Sequence, residues 1–210
     1  MSIFYIADTH FGHESIIKLT KRPFENEDEM DKALIENWNK RVKGNDKVYI
    51  LGDMFYKTTG VCDVLKQLKG KKYLILGNHD SSWIEEYTVD SDENKNTLPH
   101  ISYRITETGE DASLYFESVN DILQMGDKDV GCILCHYPLL SWKHDKRLLM
   151  IHGHLHCNTK DLFFPILVDD QRILNAGVEI NGYKPVTLEE MKENNRLFKE
   201  RYEGKNGTQS

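Results

Sequence analysis

The stretch "LLMIHGHLH", Leu148 to His156, ends an apolar run with three of the chain's nine histidines on alternate positions. Leu148 to Ile151 read as a strand buried on both faces. A strand leaving its sheet has no packing use for His-Gly-His-x-His. Either this is a polar corner of no consequence, or its histidines converge with groups from elsewhere in the chain. In extended backbone, residues two apart point the same way, so His154 and His156 are expected on one side. His152 is left out of that set.

The same pattern occurs six times. "IFYIADTH" (Ile3–His10), "KVYILGD" (Lys47–Asp53), "KYLILGNHD" (Lys72–Asp80), "CILCHYP" (Cys132–Pro138) and "ILNAGVE" (Ile173–Glu179) are also apolar runs that close on a metal-ligand type or a tight polar turn. Helical patterns lie between several of them. Met30, Leu34, Trp38 and Val42 fall at helical spacing, with Asn26 and Glu29 to cap the start and Gly44 to end it. Val61, Leu65 and Leu68 share a second helical face, and Gly70 follows as a stop. Alternating strands and helices predict a layered α/β domain with its ligands at the carboxyl ends of the strands.

Residues 81–131 are less regular. "VDSDENKNT" reads as a polar loop or insertion; "ISYRIT" and "SLYFESVNDILQM" read as strands, with "GDKD" as a hairpin into the His136 strand. Thr187 and Glu190 form a capping box ahead of Leu188, Met191, Asn195, Phe198 and Tyr202 at three-and-four spacing. The expected organisation is one domain over 1–187, a helix over 188–204 docked on it, and a disordered tail over 205–210.

With 39% hydrophobic and 29% charged residues, the 210-residue chain has an ordinary globular composition. No apolar run approaches membrane-spanning length, and "MSIFYIADTH" has no basic segment ahead of its short apolar run, so the cytoplasm is expected. A net charge of −7 argues against long nucleic acid and membrane surfaces as partners. "CILCH", Cys132 to His136, formally matches a covalent haem motif. Its spacing puts the two thiols on opposite faces of a strand, so both are read as core residues.

The strand ends supply Asp8-x-His10, Gly52-Asp53, Gly77-Asn78-His79-Asp80, His136 and Gly153-His154-x-His156. Singly, each has a bland structural reading. Together, at one end of successive strands, these carboxylates and imidazoles would be costly to bury without a counter-ion. Two carboxylates, an amide oxygen and four imidazoles suit a transition metal, Mn first, with Fe, Zn or Ni as alternatives. Seven ligands exceed the needs of one tetrahedral ion; two metals sharing a carboxylate account for the number.

The ordered set D-x-H, G-D, G-N-H-D, H, G-H-x-H resembles the calcineurin-like metallophosphoesterase superfamily, in its small single-domain bacterial or phage form. The resemblance implies a four-layer α/β/β/α sandwich. It implies one metal on Asp8, His10, Asp53 and His156, a second on Asp53, Asn78, His136 and His154, and Asp53 as the bridge. Two such cations would activate a bridging water as hydroxide for attack on a phosphoester. His79 would act on the leaving oxygen or as a transition-state donor. Asp80 would orient His79 or cap the following turn. His13 would reach a phosphate oxygen or sit in an exposed turn. Asn78 and Tyr137 would face the substrate, while Pro138, Trp142 and Lys143 either line its cleft or pack.

The expected substrate is a small phosphoester or nucleotide. Phosphoprotein phosphatases of the superfamily resemble one another in a G-D-x-V-D-R-G motif, whereas this chain reads "GDMFYKT" with no arginine. That favours a diester over a phosphoprotein, with Lys57, Lys143 and Arg22 as substitute cations and with Met54, Phe55 and Tyr56 as neighbours for an organic ester group. A small-molecule monoesterase and an inactive metal-binding scaffold on the same fold are the alternatives.

Overall fold

The computed structural model describes residues 1–90 and 99–206. Among them run ten strands: β1 (Ile3–Ile6), β2 (Lys47–Leu51), β3 (Lys71–Ile75), β4 (Ile84–Val89), β5 (His100–Ile105), β6 (Phe116–Asn120), β7 (Ile122–Asp127), β8 (Val130–Cys135), β9 (Leu148–His152) and β10 (Ile173–Asn175). The helices are α1 (Glu14–Leu19), α2 (Glu27–Arg41), α3 (Val61–Gln67), α4 (Phe164–Asp169), α5 (Val178–Asn181) and α6 (Leu188–Asn206).

Strand alternation builds the layers. In β1 and β2 and just beyond β1, Phe4, Ile6, Val48 and Ile50 face outward onto Ile16, Met30, Leu34, Trp38 and Leu65 of α1–α3. Tyr5, Ala7, Tyr49 and Leu51 face inward onto Cys132, Leu134, Ile151 and Leu174 of the second sheet. The far face of that sheet, Ile133, Cys135, Met150 and Ile173, packs on Leu167 of α4. Each central strand is buried on both faces, which is why its sequence is a continuous apolar run. The result is the four-layer α/β/β/α sandwich, and Cys132 and Cys135 lie in different layers.

One sheet has the order β1-β2-β3-β6, parallel throughout; the other has β10-β9-β8-β7, in which only β7 runs antiparallel. Parallel β1–β3 and parallel β8–β10 therefore present their carboxyl ends at one edge. The sheets meet there as well, since Ala7 N–H donates to Ala176 O and Val178 N–H to Ala7 O.

Asn26 caps α2 by accepting from Glu29 N–H at 3.0 Å. At α6, Thr187 N–H donates to Glu190 Oε2 and Glu190 N–H to Thr187 Oγ1. Leu188 and Met191 enter the core between the sheets, and the Asn195 amide both accepts from and donates to the Asn175 backbone. The helix runs on to Asn206, two residues into the expected tail, and residues 207–210 lie outside those described. No described helix is long and apolar enough to cross a membrane.

Three elements differ from the sequence reading. The stretch "SLYFESVNDILQM" is not one strand; it breaks at Asp121, β6 joining the first sheet and β7 the second. The run "ILNAGVE" stops at Asn175, because Val178 already begins α5. The expected strand "ISYRIT" pairs with a further strand, β4, whose sequence signal is weak because it buries Ile84 and leaves its two glutamates exposed. Residues 91–98, most of "VDSDENKNT", lie outside the described set.

The packing carries a stability prediction. Leu134→Ala, between the sheets, should cost about 2–5 kcal/mol, and Asn26→Ala, at a helix cap, about 1 kcal/mol. Urea unfolding of both variants measures this; equal losses would contradict the placement of the inter-sheet core.

Candidate metal centre

The residues at the shared edge leave their strands through left-handed backbone. Asp8, His10, Asp53, His154 and His156 have φ of 58°, 52°, 51°, 67° and 49°. This corrects the extended-strand expectation for His154 and His156: they, like Asp8 and His10, converge through tight turns, not through strand alternation. Non-glycine residues there cost roughly 1–3 kcal/mol each, and such strain clusters at functional sites. Backbone bonds between the turns hold it, from Asp8 N–H to Gly52 O and from His10 N–H to Asp53 O, both 3.1 Å. Gly77 and Gly153 serve by size rather than conformation, since a Cβ would collide with Asp53 Oδ1 at one and with Asp8 Oδ2 at the other.

Two groups of ligand-type atoms result, Asp8/His10/His156 and Asp53/His136/His154, each with its atoms within 4.8 Å of one another. Asp53 Oδ2 lies between them, 3.7 Å from His10 Nε2 and 3.5 Å from His136 Nε2. Asn78 Oδ1 is 3.1 Å from both His136 Nε2 and His154 Nδ1. His136 Nδ1 donates to Leu51 O at 2.8 Å, so Nε2 is its free nitrogen.

The seven expected ligands are thus together, and their polar atoms suit a cation. Asp8 Oδ2 and His10 Nε2 are buried with no hydrogen-bond partner. His136 Nε2 faces two oxygens, Asn78 Oδ1 and Asp53 Oδ2, an arrangement that a metal ion among them would satisfy. The electrostatics agree. Burial lifts Asp8 to about 6, against the pull of His156. Burial lowers His10 to about 2. At Asp53 burial is overcome by the His136 hydrogen bond, bringing it to about 2; at His136 it is overcome by Asp53 and Asp8, lifting it to about 9. Oxygen and imidazole donors of this number fit two borderline divalent ions.

Other expected residues take different places. Asp80 does not touch the His79 ring: its carboxylate accepts from Gly77, Asp53 and Met54 N–H and from Trp83 Nε1, at 2.7–3.0 Å, and clasps two ligand turns together. His13 has no nitrogen free for phosphate, because Nδ1 meets His10 Nδ1 at 3.3 Å and Nε2 meets Ser15 Oγ at 2.8 Å. Its face stacks on Tyr56, centroids 3.6 Å apart. It buttresses His10.

His79 sits at the rim, its N–H donating to Asp53 Oδ1 and its ring 5.4 Å from that of His10. Tyr137 packs edge-on to His136 and His154, centroids 5.0 and 4.8 Å away, and is half exposed. Trp142 is packing, its indole donating to Leu148 O beneath Arg172. Met54 and Phe55 are core residues rather than cleft walls.

Sequence reasoning missed Glu179. Its Oε1 accepts from His156 Nδ1 at 3.0 Å and from Arg22 at 2.7 Å, all but excluded from solvent. Burial would raise Glu179, but His156 and Arg22 bring it to about 2. The carboxylate fixes the tautomer of His156 and leaves Nε2 to bind an ion. Arg22, whose guanidinium also bonds to Asp8 O and Thr9 O, is buried structure and not a phosphate cation. The only sequence signal was a glutamate after the last strand.

Comparison with known proteins agrees with this architecture. Residues 1–197 match the family model described as calcineurin-like phosphoesterase. An uncharacterized protein of Methanocaldococcus jannaschii is 32% identical over 190 residues, covering 89% of this chain and 87% of its own. The Gene 66 protein of Mycobacterium phage D29 is 27% identical, covering 74% and 78%. The crystal structure of a protein of unknown function from Aquifex aeolicus superposes with a TM-score of 0.61 at 25% identity, covering 91% of this chain and 97% of its own.

Removing charge behind His156 tests the Glu179 contact. Glu179→Gln should weaken Mn binding about 10–100-fold, read by chelator competition on folded protein. Unchanged affinity would make Glu179 a packing residue only.

Proposed function

We propose a reaction for this chain, which belongs to the calcineurin-like phosphoesterase family and so to the metal-dependent phosphoester hydrolases: two-metal hydrolysis of small phosphodiesters. The observation that carries the reading is Asp53 Oδ2, set between His10 Nε2 and His136 Nε2 at 3.7 and 3.5 Å. Asp8, His10, Asp53 and His156 would hold one ion, and Asp53, Asn78, His136 and His154 the other, with Mn favoured and Fe, Zn or Ni able to serve. When bound, the pair supplies a water of lowered pKa and charge for the phosphoryl oxygens.

The chain's own residues do the rest. The Asp53 Oδ1 bond to His79 N–H ties the bridging carboxylate to the loop that carries His79. The His79 side chain, held near His10 and Tyr56 at the solvent edge, is in place to hand a proton to a leaving oxygen. Asn78 both faces the ligand imidazoles and stands exposed toward a substrate.

Diester preference is supported by two of the three expected substitute cations, Arg22 and Lys57, which are held in ion pairs. Arg22 is committed to Glu179, and Lys57 to Asp31 at 3.0 Å. The turn after Asp53 buries Met54 and Phe55, so the segment lacks the bidentate cation that a phosphomonoester dianion uses. Four free cysteines suit a reducing compartment, in keeping with the cytoplasm.

With Mn, kcat/KM for a bis-aryl phosphate should exceed that for a phosphoserine peptide; the reverse order would overturn the diester preference. His79→Ala should lower kcat about 10²–10⁴-fold on a diester with a poor leaving group while keeping its metal. Turnover at the wild-type rate would remove His79 from proton transfer.

A further inference from the structure

Three clefts open beside the metal centre, and their chemistry differs. One of about 500 Å³ runs past His154 and His156 and is lined by Lys21, Asn158, Thr159 and Lys160. Another, against Gly77 and Tyr137, carries Glu85, Glu86 and Asp121 and repels anions. The third, about 310 Å³, begins at His154 and Tyr137 and is walled by Leu140, Leu155 and Phe163, with Asp161 at its side.

The third cleft presents two aromatic rings and an aliphatic wall, although its walls stand in solvent. Tyr137, Leu140 and Phe163 are 45, 55 and 52% exposed and line one cleft, an exposed apolar grouping of the kind that marks binding grooves. Tyr137 is held edge-on by two ligand histidines, which ties this wall rigidly to the reaction centre. Asp161 is half-buried. Its Oδ1 accepts from Phe163 N–H at 2.9 Å, and its other oxygen remains as an acceptor. That carboxylate would oppose a second phosphate but would accept from hydroxyl or amino groups. The volume lies at the small end of ligand pockets, about 300–1,000 Å³, and suits one ring system with its sugar rather than a polymer.

We propose that this cleft binds the nucleoside arm of a nucleotide phosphodiester: the base against Tyr137 and Phe163, a sugar hydroxyl on Asp161, and the phosphoryl group at the metal centre. The assignment rests on the phosphodiesterase reading and adds its substrate class. The second arm of the diester would extend toward the neighbouring lysine-lined cleft, which shares His154, Leu155 and Asp161 with this one. Phe163, Leu140 and Asp161 set specificity and touch no reacting atom.

Calorimetric titration of the full-length Mn-loaded protein with a nucleoside 5′-monophosphate, ribose 5-phosphate and octyl phosphate tests this. Base stacking should make the nucleotide bind at least about tenfold more tightly than ribose 5-phosphate, and Phe163→Ala or Leu140→Ala should shrink that ratio. Equal affinities, or a ratio that survives in both variants, would overturn the proposal. Octyl phosphate binding as tightly as the nucleotide would make the cleft an alkyl-chain subsite and overturn it too. The phosphodiesterase reading fails separately, by absence of metal-dependent turnover of methyl 4-nitrophenyl phosphate, and that result leaves the binding ratios to be read as before.

Discussion

Everything at the active edge depends on one carboxylate. Asp53 is 2% exposed and stands between imidazoles from two different sheets. An ion so placed is expensive to bury unless opposite charge surrounds it. The protein compensates in part with the His79 amide on Oδ1 and with the raised proton affinity of His136. The compensation is incomplete, since Asp8 Oδ2 and His10 Nε2 stay buried and unpartnered. Divalent cations on these donors would supply the remaining opposite charge.

The sandwich achieves this by geometry. Parallel strands deliver their carboxyl ends to one edge, and five left-handed residues turn the donors inward. Two buried carboxylates lock the turns from behind without joining the ligand set. Asp80 binds backbone N–H groups from both the Asp53 and Gly77 turns, and Glu179 orients His156 while neutralised by Arg22. His13, stacked on Tyr56, supports His10 in the same manner. The ligands are preorganised because each turn or ring is fixed from behind by a hydrogen-bonded support.

The layered fold and the convergence of Asp8, His10, Asp53, Asn78, His136, His154 and His156 were legible in the sequence. Strands buried on both faces leave continuous apolar runs, and polar ligand types after such runs have no packing purpose. The supports were not legible. Glu179 reaches Arg22 across 157 residues, a contact no local pattern encodes. Asp80 follows His79 in the chain, which suggested a catalytic partnership, yet its neighbour in space is the Asp53 turn. His13 read as a phosphate contact or an exposed turn residue because nothing in the sequence reveals that Ser15 and His10 take both its nitrogens. The hairpin of β4 and β5 escaped because a strand with one buried residue has almost no hydrophobic period.

The central claim is that the two ligand groups hold two ions across Asp53. Anomalous diffraction from Mn-soaked crystals measures it directly. The account requires two peaks about 3.5–4 Å apart, with Asp53 between them and Asn78 and His136 on the second. A single peak within Asp8, His10 and His156, leaving Asn78 and His136 unligated, would contradict it.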